Sequence, residues 1–461
     1  MDSIKKTIHF TGIGGSGMSA LAQIHAMAGG RATGSDRTFD SGGNLSLRQS
    51  LEKLGIRIFP QDGSGISRET DMAVLSTAIE DDNPEVAAAR KFSVPVIHRS
   101  EFLAEYVKKF RTIAVAGTSG KSTVVAMIFE ILEKAGNFPS VITGGNLISL
   151  EQKGFFGNAF RGKSDLLVIE ADESDGSLLN YNPAVGMILN LTKDHKEIPV
   201  IKEIFLKFAS GVKTLYINAD DPLLSGFPGE TRTFGLRSGE LHAEDIRLGP
   251  SGSEFFLRRV KFSIPVPGRH NVENAVASAA ACLGEGISLR DCADALSSFS
   301  GVARRFQVLG SAGGVEVVDD YAHNPAKISA SLSAAHLKGG RVLTIYQPHG
   351  FAPTRLLKKE FIAAFMEGLS QKDMLWMPDI YYAGGTTSKD ISSADIIKPL
   401  AETGKKAFHM SCRENIPAEV AREARSGDLV LVMGARDPSL GSFARSLLSA
   451  LQKREKSRRK T

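Results

Sequence analysis

Two glycine-rich turns, each between an apolar run and a helical pattern, constrain the fold of this chain more than any other feature. The first is Gly12-x-Gly14-x-x-Gly17, which follows a strand-like run at residues 7–10. The second, AGTSGKST at residues 116–123, follows the apolar run at 113–115. Such a turn presents unpaired backbone N–H groups and the positive end of a helix dipole to an anion. Both segments therefore predict the strand–turn–helix opening of a nucleotide-binding α/β domain.

Strand-like and helix-like segments alternate along the chain, which is typical of parallel α/β sheets. At 461 residues the chain is too long for one ordinary core. We predict three α/β domains in series: a Rossmann-like N-terminal domain at 1–109, a central domain with a P-loop-type, ATPase-like parallel sheet at 110–302, and a Rossmann-like C-terminal domain at 303–461. The central domain is expected to carry a small antiparallel insertion within residues 230–267.

Composition narrows the possible partners. The basic tail at 452–461 holds six Lys/Arg residues and one Glu, and it accounts for the net charge of +5. We expect the tail to be a solvated, frayed terminus, and we expect no nucleic-acid partner.

The sequence shows no apolar run of roughly 18 residues and no apolar signal core, so a cytoplasmic protein with no membrane partner is expected. Its expected partners are small-molecule substrates, and it is expected to be a monomer or homodimer.

The three cysteines are Cys282, Cys292 and Cys412, and their spacing matches neither a CxxC motif nor a Cys/His zinc site. We expect buried free thiols.

The second turn has the residue types that bind ATP. Lys121 adds a mobile cation that can reach terminal phosphates, and Ser122 or Thr123 adds a hydroxyl that can hold Mg²⁺. Its spacing is shorter than the usual motif, because only two residues separate the glycines. The alternative is a structural turn with an exposed lysine. The predicted ATP-binding residues of this turn are Gly117, Thr118, Ser119, Gly120, Lys121, Ser122 and Thr123.

Acidic side chains and a histidine follow two further strand-like runs of the central region. Four carboxylates lie between residues 170 and 175, and Asp194-His195 follows the next run. Carboxylates crowded at the carboxyl end of a strand repel one another unless a cation is present, so we predict Mg²⁺ or Mn²⁺ there. The alternative is that they cap helices or are solvated loop charges.

The first turn does not by itself define its nucleotide. Asp36 lies nineteen residues after Gly17, and this spacing fits an NAD(P) enzyme as well as a protein that binds another nucleotide.

Several residues that can contact phosphate or transfer protons lie in the C-terminal third. Arg304 and Arg305 can contact phosphate in a bidentate manner or form a surface ion pair. Each histidine considered singly is expected to be structural. The remaining candidates follow two strand-like runs and are Tyr321, His323, His349 and Arg355.

Taken in order, these segments resemble the Mur ligase family. The resemblance runs over most of the chain and is carried by HFTGIGGSGMS, GSD, LSTAI, NPE, IAVAGTSGKST, EADESDGS, DH, GRHNVENA, GVARRFQ, DDYAHNP, QPHG and DIYYAGG. It implies a UDP-sugar in the N-terminal domain, without a redox cofactor, and ATP with Mg²⁺ (or Mn²⁺) in the central domain. It also implies that the C-terminal domain closes over both and helps to bind the amino acid.

The resemblance implies a ligase that forms an amide bond between a UDP-N-acetylmuramate-type carboxylate and an amino acid, L-alanine, through an acyl phosphate. Lys121 and an arginine, Arg304 or Arg305, would stabilise the phosphate charge, and His323 is a candidate base. Metal-binding positions are Ser122, Glu173 and His195. Further ATP-binding positions are His270, Asn271, Asn274 and Arg305. UDP-sugar positions are Gly14, Gly15, Ser16, Ser35, Asp36, Ser76 and Thr77. The amino-acid side is Tyr321, His323, His349 and Arg355.

The chain departs from the family pattern where the amino acid is expected to bind. Members that use alanine usually read QPHRYTRTR, and here Gly350 and Pro353 stand in place of two arginines. One of these arginines is expected to help hold the carboxylate of the amino acid. Arg436 replaces a family glycine, and Ser119 replaces the histidine of the usual GTHGKTT loop. A paralogue that uses another amine or a peptide, and a non-catalytic UDP-sugar-binding protein, therefore remain alternatives.

Overall fold

The computed structural model describes residues 6–76, 79–173, 176–193, 196–382, 384 and 387–458. The chain divides into two compact units, each described here by itself. Unit 1 comprises Met1–Glu244, Phe256–Phe262 and Glu273–Val302, and unit 2 comprises Asp245–Phe255, Ser263–Val272 and Ala303–Thr461. The predicted fold class, with three α/β sheet regions in series, is confirmed. The domain boundaries drawn from the sequence stay predictions.

The first sheet of unit 1 is parallel throughout, with the strand order β3-β2-β1-β4-β5. Its central strand is almost wholly buried, as expected for a strand covered by helices on both faces. The strands are β1 (Thr7–Thr11), β2 (Arg31–Ser35), β3 (Arg57–Phe59), β4 (Met72–Leu75) and β5 (Val96–His98). The helices are α1 (Ser16–Met27), α2 (Arg37–Asp40), α3 (Leu45–Lys53), α4 (Pro84–Phe92) and α5 (Arg99–Lys109).

A buried polar network lies beneath the first glycine turn. His9 Nε2 donates to Glu85 Oε1 at 3.0 Å, and both side chains are fully buried. Ser35 Oγ donates to Glu85 Oε2 at 2.6 Å, so both carboxylate oxygens have a donor. Burial would raise the pKa of the Glu85 carboxyl, but the bonds from His9 and Ser35 outweigh burial and hold that pKa below its ordinary value.

The second sheet of unit 1 has the strand order β13-β12-β11-β10-β6-β9-β7-β8 and is parallel except for the β7–β8 pair. Its strands are β6 (Arg111–Ala116), β7 (Ser140–Ile142), β8 (Ala159–Phe160), β9 (Leu166–Glu170), β10 (Val185–Ile188), β11 (Thr214–Asn218), β12 (Thr231–Gly235) and β13 (Leu241–His242). The helices that accompany it along the chain are α6 (Lys121–Lys134), α7 (Ile148–Gln152), α8 (Ile198–Ser210), α9 (Arg269–Gly284) and α10 (Leu289–Leu296).

The antiparallel insertion is shorter than predicted. It comprises β14 (Glu244–Gly249), β15 (Gly252–Leu257) and β16 (Val260–Ile264) in a separate three-stranded sheet. Two-residue connections between its strands allow only antiparallel pairing. The first part of the predicted range is wrong, because β12 and β13 extend the main sheet in parallel register.

Side-chain amides join the two sheets of unit 1. Gln23 Nε2 donates to Asn158 Oδ1 at 2.7 Å, and Asn158 Nδ2 donates to the carbonyl of Ser16 at 2.9 Å and to Ser19 Oγ at 3.0 Å. Gln23, Ser19 and Asn158 are fully buried. Since buried amides need partners, this network fixes the start of α1 against the strand β8 that follows Asn158.

The sheet of unit 2 has the strand order β17-β18-β22-β19-β20-β21, with only β17 antiparallel to its neighbour among the described pairs. Alternate residues of its strands enter two separate apolar cores, so both faces are covered. The strands are β17 (Gln307–Ala312), β18 (Val315–Asp320), β19 (Val342–Gln347), β20 (Met374–Met377), β21 (Lys406–His409) and β22 (Leu429–Gly434). The helices are α11 (Pro325–His336), α12 (Phe351–Leu356), α13 (Lys358–Gly368), α14 (Ala394–Glu402), α15 (Ile416–Glu423) and α16 (Leu440–Arg458).

The basic tail is not frayed over its described part, and that prediction is wrong. Helix α16 continues to Arg458, Arg454 Nη1 donates to the carbonyl of Ala424 at 2.6 Å, and Glu455 Oε2 accepts from the amide of Gly313 at 3.0 Å. These bonds hold the tail against the ends of neighbouring elements.

The three cysteines are free thiols, as predicted. Cys282 and Cys292 are buried, but Cys412 is exposed, which corrects the expectation that all three are buried. No helix in the described ranges is both long enough and apolar enough to span a membrane.

The substitution Glu85→Gln should destabilise the protein by about 1–3 kcal/mol at neutral pH, because a buried histidine loses its anionic acceptor. The folded pKa of Glu85 lies below the unfolded value of about 4.3, so this stabilisation is complete above that pH and is lost as the pH falls through the folded pKa. Urea unfolding between pH 3 and pH 7 would measure it.

Glu80→Gln is the matched control, because Glu80 pairs with Arg37 on the exposed surface. Equal unfolding midpoints for the two variants at pH 7 would contradict the role assigned to Glu85.

Candidate active site

The turn between β6 and α6 is shaped for a close approach to an anion. Gly120 has a φ of 87°, and a Cβ there would lie 2.5 Å from Asn274 Oδ1. Any side chain at Gly120 would therefore be strained and would collide with this amide. The sequence-predicted residues Gly117 to Thr123 all lie on this turn or on the first turn of α6, and Asn274 lies beside it.

Asn190 fixes this turn, and the sequence analysis did not select it as a site residue. Its Oδ1 accepts from Thr118 Oγ1 and from the amide of Ser119, both at 2.9 Å. Its Nδ2 donates to the carbonyl of Ser119 at 3.1 Å. Thr192 completes the contact, since its Oγ1 lies 2.8 Å from Thr118 Oγ1. The available signal was an amide side chain two residues after β10, the buried strand that pairs with β6.

A lysine–carboxylate cluster lies at the same strand ends. Lys121 Nζ donates to Glu173 Oε2 at 2.6 Å and lies 3.4 Å from Asp172 Oδ1. Burial would lower the pKa of the Lys121 amine, but the carboxylates outweigh burial and raise it, so the amine stays charged. Burial raises the pKa of Glu173, and Lys121 opposes that shift. The pair therefore holds one cation and one nearly buried carboxylate where phosphate charge would be bound.

Two of the predicted metal-binding positions lie near the lysine turn. Ser122 is buried on the first turn of α6, and Glu173 is 5% exposed beside Lys121. Glu170 accepts from Thr143 Oγ1 and from the amide of Gly144, so it orients the neighbouring loop. Within the described residues no group of three or more His, Cys, Asp or Glu side chains could hold a metal alone. The predicted ligand His195 lies outside the described residues.

The turn between β1 and α1 has its own anchor. Asp36 Oδ2 accepts from the amide of Gly14 at 2.8 Å, and Asp36 Oδ1 accepts from the amide of Thr38 at 2.8 Å. Both oxygens are thus engaged by backbone amides. The predicted UDP-sugar residues lie on this turn, at the first residue of α1, or at or just after the ends of the adjoining strands; they are Gly14, Gly15, Ser16, Ser35, Asp36 and Ser76. The predicted residue Thr77 lies outside the described residues.

Residues of unit 2 gather where β18 and β22 end. Arg304 Nε lies 3.3 Å from both carboxylate oxygens of Asp319, and Arg304 Nη2 donates to the carbonyl of Gly434 at 2.7 Å. The guanidinium carbons of Arg304 and Arg305 lie 5.1 and 4.9 Å from the ring centre of Tyr321. Cation–π contacts therefore hold both arginines against one ring.

Two of the predicted histidines lie side by side. The rings of His323 and His349 are 5.6 Å apart, and His323 Nδ1 lies 2.9 Å from the carbonyl of Tyr321. Since a carbonyl only accepts, this bond assigns the Nδ1 proton and leaves Nε2 as the basic atom when the ring is neutral. Tyr321, His323 and His349 are thus brought together.

Other predicted residues of unit 2 have separate surroundings. Burial lowers the pKa of His270, and the charge of Asp320 opposes that shift. Asn271 Nδ2 donates to the carbonyl of Pro267 at 2.7 Å and holds the turn before α9. Arg355 is exposed and pairs with Asp390 and with the carbonyl of Ser388.

These features are typical of a nucleotide-binding enzyme. Unit 1 has glycine turns at the ends of parallel strands and a lysine–glutamate pair, and unit 2 has a pair of arginines. Three family models match consecutive parts of the chain. They are the Mur ligase family catalytic domain at residues 7–111, the Mur ligase middle domain at 115–282 and the Mur ligase glutamate ligase domain at 304–436.

Full-length relatives agree with these matches. UDP-N-acetylmuramate–L-alanine ligase of Pelotomaculum thermopropionicum is 36% identical over 455 residues, covering 94% of this chain and 95% of that protein. The enzyme of the same name from Streptomyces griseus is 37% identical, with 93% and 94% covered. The crystal structure of the alanine ligase MurC from Thermotoga maritima matches with a TM-score of 0.81 and 28% identity over 97% of this chain and 99% of that chain. This chain belongs to the Mur ligase family.

A second solved structure is similar to this chain in fold, at a lower sequence identity. The murein peptide ligase from Psychrobacter arcticus has a TM-score of 0.69 and 22% identity, and the match covers 97% of this chain and 99% of that chain.

Asn190→Ala should weaken ATP binding about tenfold, because three hydrogen bonds that hold the phosphate turn are lost. Titration calorimetry with a non-hydrolysable ATP analogue would measure the dissociation constant. Asn137→Ala, beyond the far end of α6, is the control. An unchanged ATP affinity in Asn190→Ala would contradict the role of this amide.

Proposed function

We propose that this protein joins the carboxylate of UDP-N-acetylmuramate to L-alanine with ATP, through an acyl phosphate, in peptidoglycan precursor synthesis. The observation that carries the proposal is the complete lysine turn of unit 1 in a chain that matches alanine ligases over nearly its whole length. The similarity to UDP-N-acetylmuramate–L-alanine ligases favours a UDP-sugar over NAD(P) at the first turn, which Asp36 anchors through two backbone amides.

Lys121 would act on the phosphate chemistry of unit 1. In the first step the substrate carboxylate attacks the γ-phosphorus of ATP, and ADP leaves. Lys121 is held between the carbonyl of Gly117 at 2.8 Å and Glu173 at 2.6 Å, so its cation is positioned before the nucleotide binds. A preorganised cation stabilises the charge that develops on the transferred group without reorganisation.

The residues present fit a magnesium ion that binds together with ATP. Mg²⁺ usually takes one or two protein oxygens, with substrate phosphates and water as the other ligands. Ser122 and Glu173 would supply these oxygens, with His195 as the third position implied by the family resemblance. When bound, Mg²⁺ or Mn²⁺ would neutralise charge on the phosphates, beside the positioned cation of Lys121.

The histidine pair of unit 2 would act on the amine. In the second step the neutral amine attacks the acyl carbon, and inorganic phosphate leaves. The amine must first lose a proton, and Nε2 of His323 is the basic atom left by the bond from Nδ1 to the Tyr321 carbonyl. Arg304 and Arg305, held on Tyr321, would contact the phosphate oxygens.

A second candidate function differs in the amine. Gly350 and Pro353 remove two guanidinium groups at the start of α12, and Arg355 is paired with Asp390 on the surface. A ligase for another amino acid or for a peptide would account for this loss. A non-catalytic UDP-sugar-binding protein is disfavoured by the intact Lys121–Glu173 pair.

With UDP-N-acetylmuramate and ATP, phosphate release should be stimulated more by L-alanine than by any other of the twenty amino acids or by short peptides. Phosphate release measured for each amine, with mass spectrometry of the product, decides between the candidates. Stimulation by a peptide alone would establish the second candidate. No turnover with any acid and amine would revive the non-catalytic alternative.

Lys121→Ala should lower kcat at least about 100-fold, because the positioned cation of the phosphate turn is removed. The coupled assay for ADP formation is the measurement. Lys153→Ala is the matched control, since Lys153 pairs with Glu133 on the surface of unit 1. Turnover that survives in Lys121→Ala at the wild-type level would contradict the assignment.

A further inference from the structure

Arg436 occupies a backbone conformation that favours glycine. Its φ is 59°, in the left-handed region, and its side chain is exposed. A long side chain is strained in this region, whereas the glycine that the family resemblance places here would not be. A strained backbone at an exposed, long side chain motivates the hypothesis that this side chain has a function.

The strand order places Arg436 in the middle of the unit 2 site. Strand β22 lies between β18 and β19 and is parallel to both. Tyr321 and His323 follow β18, and His349 follows β19. Gln347 pairs in register with Gly434, so His349 and Arg436 each lie two residues beyond an aligned pair. The edge that carries the histidine pair therefore also carries Arg436.

Neighbouring arginines at this edge are engaged by protein anions. Arg304 is bound to Asp319, Arg355 to Asp390 and Arg413 to Asp437. Asp437 also accepts from the amide and the hydroxyl of Ser439. Arg413 and Ser439 therefore stabilise the Asp437 carboxylate without Arg436. Among the described residues, the Arg436 guanidinium has no hydrogen bond or ion pair with a protein group.

We propose that Arg436 binds the α-carboxylate of the incoming amino acid and replaces the guanidinium groups lost at Gly350 and Pro353. This inference rests on the proposed function and deepens it. Gly350 lies three residues after the end of β19, and Arg436 lies two residues after the end of the adjacent strand β22. An arginine is suited to this role because its planar fork binds both oxygens of a carboxylate. The substrate class is thus an amine with a free carboxylate near it.

The test compares L-alanine with L-alaninamide, which lacks the carboxylate, at saturating ATP and UDP-N-acetylmuramate. In Arg436→Gly the KM for L-alanine should rise about 10- to 100-fold, because a charge-assisted pair is lost. The preference for the acid over the amide should disappear, and the KM for ATP and for the UDP-sugar should stay unchanged. The melting temperature should not fall, since glycine relieves the strained φ.

Two further variants sharpen the comparison. Arg436→Lys keeps the charge without the bidentate fork and should retain part of the preference for the acid. Arg425→Ala removes an exposed arginine before the opposite end of β22 and should change neither KM.

The outcomes separate this inference from the proposed function. Wild-type turnover with an unchanged KM for L-alanine in Arg436→Gly would overturn the inference alone. A raised KM for ATP or the UDP-sugar in place of the amine would also overturn it. If the wild type releases no phosphate with any amine, the proposed function fails and this inference fails with it.

Discussion

Parallel strands end at one edge of a sheet, and the arrangement of both units follows from this constraint. At that edge the backbone leaves its ladder and the next helix begins, so amide groups and a helix dipole point at the same place. Gly120 allows the backbone to approach an anion there, and Lys121 and Glu173 supply the charges. The corresponding edge of the unit 2 sheet carries Arg304, Tyr321 and the histidine pair, which come from residues 304–349.

Polar side chains that are buried or half-buried fix the positions of these strand ends. Asn190 holds the phosphate turn by three hydrogen bonds, and Glu85 holds His9 and Ser35 beneath the first turn. Each group is costly to bury unless it is fully bonded, so its partners cannot shift without a loss of stability. The apolar cores fix the strands, whereas these networks fix where the strand ends point.

The sequence made much of the site predictable, because short motifs lie at predictable strand ends. The glycine turns and the candidates Lys121, Glu173, Tyr321 and His323 could be selected from residue type and order. Asn190 could not, since an asparagine after a strand is ordinary until its three partners are known. The range of the insertion was wrong because the residues of a strand do not show which sheet it joins, and only the parallel pairing of β12 and β13 assigns them to the main sheet.

The sequence by itself determined the family, the nucleotide turns and the absence of two arginines at Gly350 and Pro353, because each of these is a matter of residue identity and order. Only the tertiary structure decided which residue could compensate for the two missing guanidinium groups. Arg436 lies far along the chain from Gly350, and strand order alone brings their strands together. Its left-handed backbone, and the lack of an ion pair to its guanidinium among the described residues, are likewise properties of the fold, since neither torsion angles nor ion pairs can be read from residue order.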